Sequence, residues 1–175
     1  DIGVLYQSQD ERANAMECFL KSYKLQEELG DKVGQATSLH NVADIYLRKG
    51  DYQKALEYFN KALLIHQEIP NKHGIALAYA NIALTNEHLN NYKEALNYYS
   101  KCLEVYSELN EASGIIDGNT GLGRIYFRTG DYSKAIPHSE KAFKLAKELG
   151  FPVQISSAAK LLNEIYKKQN NKAKA

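Results

Sequence analysis

The stretch "GDYQKALEYF", residues 50–59, recurs along the chain at one fixed interval. "NNYKEALNYY" occupies residues 90–99 and "GDYSKAIPHS" residues 130–139, each 40 residues after the preceding copy. The same interval separates a row of small residues, Ala15, Ala55, Ala95 and Ala135. An internal period of roughly 20–50 residues is the signature of proteins built from stacked repeats. The sequence therefore predicts a repeat architecture, with the alanine row buried where helices cross.

Each repeat has the pattern of two helices joined by a turn. "GQATSLHNVADIYLR", residues 34–48, places apolar residues at three- and four-residue spacing, which predicts a first helix. Gly50 suits the left-handed position after a helix end, and Asp51 suits the cap of a second helix over residues 52–69. One helix pair cannot bury both of its apolar faces, so neighbouring pairs must stack.

The residues of this pattern resemble the tetratricopeptide repeat (TPR). The matching small, apolar and aromatic residues are Leu39, Ala43, Tyr46, Tyr52, Ala55, Phe59 and Ala62. The usual TPR period is about 34 residues, whereas the period here is 40. The pattern is similar to the 40-residue repeats of Pins/LGN-type adaptors and of bacterial TPR sensor and regulator proteins. "DYSKAIP", residues 131–137, also resembles the repeats of kinesin light chains.

This resemblance implies an all-α TPR solenoid, a right-handed superhelix of about nine antiparallel helices. The opening residues "DIGVLYQSQ" are typical of a helix end, so we expect the chain to be a piece of a longer protein. We expect one TPR domain over residues 1–175, with a partial repeat at 1–30, full repeats at 31–70, 71–110 and 111–150, and a terminal helix and tail at 151–175.

Composition narrows the classes of function. Lys plus Arg is 22 and Asp plus Glu is 21, and this balance predicts no nucleic-acid partner. No apolar run of about 18 residues occurs, which predicts no membrane partner for this segment, and a cytoplasmic location is expected. Cys18 and Cys102 are predicted to be small core residues rather than a disulfide or metal ligands.

No catalytic constellation is recognisable. "GNTGLG", residues 118–123, lacks the order and context of a phosphate-binding loop, and Gly123 falls on a packing position of its repeat. Gly118 and Gly121 either loosen their helix or allow another group to approach the backbone. The five histidines show no spacing typical of a zinc site. The sequence thus predicts no enzyme, no cofactor and no metal.

The TPR resemblance implies a concave groove, lined by the first helix of each repeat, that binds an extended or helical peptide. By register, the groove residues are Thr37, His40, Asn41, Asp44, Arg48, Leu77, Ala80, Asn81, Leu84, Glu87, His88, Asp117, Thr120, Gly121, Arg124, Arg128, Lys160 and Glu164. Asn41 and Asn81 match the groove asparagine that binds a peptide backbone in related repeats, although an ordinary polar surface role is also open. Arg124 is expected to pair with an acidic group of the ligand.

The middle repeat departs from the pattern at "IALTNEHLNNY", residues 82–92. Leu77, Ala80 and Leu84 predict an apolar strip in the groove, unless this repeat has merely drifted. Asn86 occupies a core position, where an unpartnered amide would make this repeat the least stable. In the preceding repeat, Asp44 would repel a carboxylate, so a chaperone C-terminal tail is not the expected ligand.

Taken together, these features predict a non-catalytic scaffold that binds a protein or peptide in its groove, as part of a larger signalling or adaptor protein. The alternative is a regulatory segment that docks on a linked kinase or DNA-binding domain, where a high effective concentration compensates for weak contact. Homo-oligomer formation is left open. An enzyme is the least favoured class because no acid, base or nucleophile set converges.

Overall fold

A computed structural model of the protein describes the backbone of residues 9–173 and the side chains of residues 14–169. The described part is all-helical, which confirms the predicted all-α repeat fold. The ninth helix expected from the opening residues falls on residues 1–8, outside the described part. The eight described helices are α1 (Gln9–Glu28), α2 (Lys32–Lys49), α3 (Tyr52–Glu68), α4 (Lys72–His88), α5 (Tyr92–Glu108), α6 (Ala112–Arg128), α7 (Tyr132–Leu149) and α8 (Pro152–Ala173).

The turns between helices use the capping residues that the sequence predicts. The Asp51 carboxylate accepts a hydrogen bond from the backbone N–H of Lys54, and Asp131 does the same for Lys134. Gly50 ends α2 in the left-handed conformation, with φ of 79°. These contacts satisfy backbone groups that a helix end leaves without partners. They fix where each helix begins and ends.

The helices fall into two compact units, residues 1–85 and residues 86–175. In the first unit, α2 packs against α1 and α3. Its core includes Ala36, Leu39, Ala62 and Ile65, with Tyr23 and Tyr58 packed against them.

Two expectations for α1 are wrong. Ala15 is partly exposed, and Cys18 lies on an exposed face of the helix. Ala55 is fully buried, as expected.

In the second unit, α6 packs against α5, α7 and α8. One core cluster contains Ile116, Ala142, Ala146 and Ala158. A second contains Ala135, Leu161 and Ile165. Ala95 and Ala135 of the alanine row are fully buried, and Cys102 is buried as predicted. The shared small residues therefore let the helices of this unit approach closely.

A small-against-large contact recurs where each second helix meets the next first helix. Three glycines, Gly34, Gly74 and Gly114, lie 40 residues apart. An added Cβ on them would collide with the side chains of Gln26, His66 and Tyr106, respectively. Between α7 and α8 the sizes are reversed. The small Ala146 stands at the position of the large side chain, and the large Gln154 stands at the position of the glycine. The 40-residue interval between these glycines is visible in the sequence, but the side chains that face them belong to the preceding helix and are seen only in the structure.

The middle repeat keeps polar residues in buried positions and satisfies them. The Thr85 hydroxyl donates to the Asn81 carbonyl over 2.7 Å. The Asn86 side-chain oxygen accepts a hydrogen bond from the Asn91 amide over 3.4 Å. The expectation that Asn86 lacks partners is therefore wrong. Asn91 stands where the turns before α3 and α7 have a capping Asp; its side chain makes no cap bond, and its amide donates to Asn86.

Candidate functional site

In the first unit, the predicted groove residues on α2 and α4 meet through His40 and Asn81. The Asn81 amide nitrogen lies 3.4 Å from Nε2 of His40 and donates to the Leu77 carbonyl over 3.1 Å. Asn41 is half-buried, and within the described residues its amide has no hydrogen bond. An amide of this kind can donate to and accept from a ligand backbone.

His40 is packed rather than free. Its ring meets the ring of Phe59 edge-on, with 5.2 Å between centroids. Burial lowers the pKa of His40, against a smaller opposing effect from the Asp44 carboxylate. The ring is therefore neutral at pH 7, and with its proton on Nδ1 its Nε2 accepts the Asn81 amide.

The other polar groove residues of the first unit are engaged locally. Nε of Arg48 donates to the Asp44 carboxylate over 2.7 Å, and both side chains are exposed. The Thr37 hydroxyl donates to the Val33 carbonyl over 2.9 Å. An exposed pair of this kind contributes little stability, about 1 kcal/mol at most. It does, however, reduce the charge that either group offers a ligand.

Leu77, Ala80 and Leu84 lie on one face of α4, at three- and four-residue spacing. Leu77 is 37% exposed, while Ala80 and Leu84 are half-buried. The three side chains form a small apolar strip that a ligand side chain could contact.

In the second unit, Glu87 does not face outward as the groove prediction requires. It is only 5% exposed and lies against Arg124. Nε and Nη2 of Arg124 donate to its two carboxylate oxygens over 2.7 and 2.8 Å. Nε of Arg128 lies 3.3 Å from the same carboxylate. Arg124, expected to pair with an acidic ligand group, therefore has a carboxylate partner within its own chain.

Tyr99 completes this buried network. Its hydroxyl donates to Glu87 over 3.3 Å and accepts from Nη2 of Arg124 over 3.0 Å. Burial raises the pKa of Tyr99, so the hydroxyl keeps its proton and remains a donor.

The glycines of α6 explain how Tyr99 reaches this position. An added Cβ on Gly121 would lie 2.5 Å from the Tyr99 ring. A Cβ on Gly118 would lie 3.4 Å from Cβ of Leu103, an ordinary contact. The sequence left two explanations for these glycines, a loosened helix or the close approach of another group to the backbone. Close approach holds for Gly121, and the approaching group is the Tyr99 ring. Gly123 is a packing residue as predicted, because it faces Ser139.

A pocket of about 740 Å³ lies between α6 and α8 in the second unit. Five predicted groove residues line it: Thr120, Arg124, Arg128, Lys160 and Glu164. Of the other predicted residues in this unit, Asp117 and His88 do not line it. The lining residues missing from the predicted set are Phe127, Pro152, Val153, Ser156, Ser157 and Leu161. The repeat register could have identified Ser157 as a groove residue, because it lies 40 residues after Asp117.

Several polar groups at this pocket are unengaged. Lys160 is exposed and has no ion pair within the described residues. Ser156 and Ser157 likewise make no hydrogen bond to any described residue. The Thr120 hydroxyl donates to the Ile116 carbonyl over 2.9 Å. The pocket thus combines free cationic and hydroxyl groups with apolar walls.

Within the described part of the chain, no group of three or more His, Cys, Asp or Glu side chains is arranged to hold a metal ion. Over the same residues, none of the helices combines the length and apolar character needed to span a bilayer.

Comparison with solved structures supports the fold. Aspartyl phosphate phosphatase F from Bacillus subtilis superposes with a TM-score of 0.83 at 18% identity, over 90% of this chain and 42% of that protein. A Rap protein in complex with competence and sporulation factor gives 0.76 at 19% identity, over 89% and 47%. A signal transduction ATPase with a tetratricopeptide repeat sensor, from Pyrococcus horikoshii, gives 0.77 at 21% identity, over 92% and 24%. The chain thus spans less than half the length of each of these proteins.

Comparison with curated protein sequences gave no significant match. The likeness to Pins/LGN-type adaptors stays a prediction. Two tetratricopeptide repeat family models match, one over residues 1–63 and 34–108 and the other over residues 116–149. The chain therefore belongs to the tetratricopeptide repeat family.

Proposed function

We propose that this chain is a protein-binding scaffold that holds a peptide segment of its partner against the first helices of its repeats. The observation that carries the proposal is the pocket between α6 and α8, which brings together five of the residues predicted from the repeat register. Tetratricopeptide repeats are commonly used for protein–protein interaction and are generally non-catalytic scaffolds. The Rap protein solved with competence and sporulation factor supports a ligand-binding role for this fold.

The character of the pocket suits a peptide side chain. Val153 is 77% exposed at its edge, and Phe127 contributes an apolar wall. Sites that bind ligands typically combine apolar walls with a few placed polar groups. Lys160 and Ser157 provide such groups.

The first unit offers a second contact area of different character. The free amide of Asn41 suits a ligand backbone, and Leu84 suits an apolar side chain. Backbone hydrogen bonds give a peptide affinity while pockets for its side chains give specificity. We propose that the first unit contributes affinity through the ligand backbone and that the pocket of the second unit contributes specificity for a ligand side chain.

The alternative ligand is a domain linked to the repeats in the same polypeptide. It is favoured by the match to the signal transduction ATPase, of which this chain covers 24%. A linked domain would have a high effective concentration and would need only weak contact. It would use the same surfaces, as part of a larger signalling protein.

Peptide capture tests the proposal. The immobilised chain is exposed to a proteolysed cell extract, retained peptides are identified, and synthetic copies are titrated by calorimetry. Val153→Glu places a charge on the apolar edge of the pocket, and should weaken binding by about 2 kcal/mol or more if Val153 contacts a central anchor.

The matched control is Lys147→Glu, an exposed α7 position outside the pocket. Thermal melts establish that both variants remain folded. Equal affinity for the two variants would move the binding site away from this pocket. Failure of the chain to retain any peptide would remove the peptide-binding proposal itself.

A further inference from the structure

We infer that the junction between α3 and α4 is acid-sensitive: proton uptake by His66 and His40 loosens the packing of α4 in the first unit. His66 reaches α4 from α3, and His40 reaches it from α2. Because α4 carries the apolar strip described above, acid would also alter that contact area. The inference concerns the junction itself and does not rest on the proposed peptide binding.

His66 is enclosed at this junction. It is 6% exposed, and its ring lies so close to Gly74 that an added Cβ there would collide with it. Gln26 and Tyr106 stand at the equivalent positions of the neighbouring repeats, and their side chains do not titrate between about pH 5 and 8. Of these three junctions, the one between α3 and α4 is therefore the one whose glycine faces a group that titrates near neutral pH.

Asn71 determines which nitrogen of His66 carries the proton. The Asn71 side-chain oxygen accepts a hydrogen bond from the backbone N–H of Gly74 over 3.1 Å, and so caps the start of α4. The Asn71 amide nitrogen is then left to face Nδ1 of His66, 3.3 Å away. Because an amide nitrogen only donates, Nδ1 accepts, and the neutral ring carries its proton on Nε2. Protonation of Nδ1 would set two donors against each other.

Rotation of the Asn71 amide does not resolve this conflict. It would offer the side-chain oxygen to a protonated His66 ring, but it would also turn the amide nitrogen toward the N–H of Gly74. The start of α4 would then lose its cap. Proton uptake by His66 therefore removes either the contact with Asn71 or the cap of α4.

His40 has the same arrangement at a second point on α4. The Asn81 amide nitrogen donates to the Leu77 carbonyl over 3.1 Å and lies 3.4 Å from Nε2 of His40. Since a carbonyl oxygen only accepts, this nitrogen is a donor and Nε2 of His40 is the acceptor. Protonation of Nε2 would again bring two donors together. Both histidines thus take part in the junction as hydrogen-bond acceptors, a role that only the neutral rings can fill.

The surroundings of the two rings favour their neutral forms. Burial and His73 of α4 lower the pKa of His66. Burial lowers the pKa of His40 and His66 adds to this effect, against the Asp44 carboxylate, which is itself paired with Arg48. As the pH falls through about 6.5, the unfolded chain therefore takes up protons before the folded chain does. Stability decreases until the pH reaches the lowered pKa values.

His138 in the second unit has the opposite arrangement. Its Nδ1 lies 3.0 Å from the side-chain oxygen of Asn119, whose amide nitrogen donates to the Ile115 carbonyl. Here the ring nitrogen is the donor, so protonation keeps the hydrogen bond. His138 is half-buried, and it therefore provides a matched control in which the conflict between two donors is absent.

Hydrogen exchange of the full chain tests the inference. Backbone amides are followed at about pH 7.5 and about pH 5, on either side of the ordinary histidine pKa, and the rates are corrected for the intrinsic effect of pH to give protection factors. On acidification, we expect protection over residues 72–85 of α4 to fall by about tenfold or more. Protection over residues 112–128 of α6 should change much less.

Three variants identify the cause. His66→Gln introduces the residue type that the preceding repeat has at this position, and should remove most of the acid-dependent loss in α4. Asn71→Asp supplies a carboxylate, which caps its helix at the equivalent Asp31 and would accept from a protonated His66. In this variant α4 should keep its protection in acid. His138→Gln is the matched control and should respond to acid as the parent does.

His40→Gln removes the second histidine of the junction and should reduce the loss of protection in part. A loss confined to α4, absent in both His66→Gln and Asn71→Asp and retained in His138→Gln, supports the inference. Equal losses in α4 and α6 of the parent, or no loss in α4, overturn it. So does an acid response that is unchanged in both His66→Gln and His40→Gln. A response in Asn71→Asp as large as in the parent also overturns it, because the conflict between two donors would not be the cause.

Discussion

The two units place different chemistry on equivalent repeat positions. In the first unit, Phe59 packs against the neutral ring of His40. In the second unit, the equivalent residue 40 positions later is Tyr99, and its hydroxyl joins the buried pair of Glu87 and Arg124. Phe and Tyr differ by one hydroxyl, yet one site is apolar and neutral and the other is charged. The helix framework therefore tolerates either chemistry, and a few groove positions determine which groups a ligand meets.

The largest expected difference between the units lies in their arginines. Arg124→Ala leaves the Glu87 carboxylate buried without its main partner, and should lower the free energy of unfolding by about 3–5 kcal/mol. Arg48→Ala removes only an exposed pair with Asp44, and should lower it by less than about 1 kcal/mol. Urea unfolding of both variants measures the difference. Similar small losses in the two variants would mean that Glu87 is hydrated rather than buried.

The glycines of α6 give a second contrast, within one helix. Gly121→Ala pushes a methyl group into the Tyr99 ring and should destabilise the protein by about 1–3 kcal/mol. Gly118→Ala meets only an ordinary contact and should stabilise it by up to about 1 kcal/mol, because alanine is the better helix former. Thermal and urea unfolding of the pair check the opposite signs. A stabilising Gly121→Ala would show that Tyr99 does not pack there.

Tyr99→Phe converts the second unit toward the residue that the first unit has. It removes the hydroxyl that donates to Glu87 and accepts from Arg124, and should lower the free energy of unfolding by about 1–2 kcal/mol. The reciprocal change, Phe59→Tyr, inserts a hydroxyl at a fully buried position and supplies the comparison. If Tyr99→Phe unfolds at the same urea concentration as the parent, the hydroxyl contributes nothing to the network.

The smallest expected effect concerns pH and His40. Burial lowers the pKa of His40 below its ordinary value of 6.5. As the pH falls through about 6.5, the unfolded chain takes up a proton that the folded chain does not, so stability decreases until the pH reaches the lowered pKa. His40→Gln should make this decrease shallower than in the parent. Denaturation midpoints between about pH 7.5 and 5 provide the measurement, and parallel curves for the two proteins would contradict it.

Local patterns made much of the fold predictable. The 40-residue interval, the capping Asp51 and the left-handed Gly50 depend on residues close together in sequence, and their geometry follows from the chain itself. The buried state of Glu87 was not predictable in this way. Its partners, Tyr99 and Arg124, lie 12 and 37 residues away. Whether a polar residue on a helix face meets a ligand or a partner depends on which side chains the neighbouring helix brings beside it.

Asn86 illustrates the same limit on a smaller scale. Read alone, an amide in a core position indicates instability, yet Asn91, which stands where Asp51 and Asp131 cap their helices, donates a hydrogen bond to the Asn86 side chain. Two departures from the repeat pattern therefore compensate each other. Sequence comparison of the repeats reveals both departures, but only the structure shows that they are linked.

The contacts between Gly74 and His66 and between Gly114 and Tyr106 have a consequence for how such a chain can change its length. Each junction matches a large side chain on one repeat to a glycine on the next, so a repeat can be lost only where the new junction still matches. Loss of residues 71–110 would bring His66 before Gly114, which has room for it. Loss of residues 111–150 would instead place Tyr106 before Gln154, where no glycine receives the ring. The repeats are therefore modular in backbone but ordered by their junctions, and recombination within the gene would be restricted to a subset of repeat boundaries.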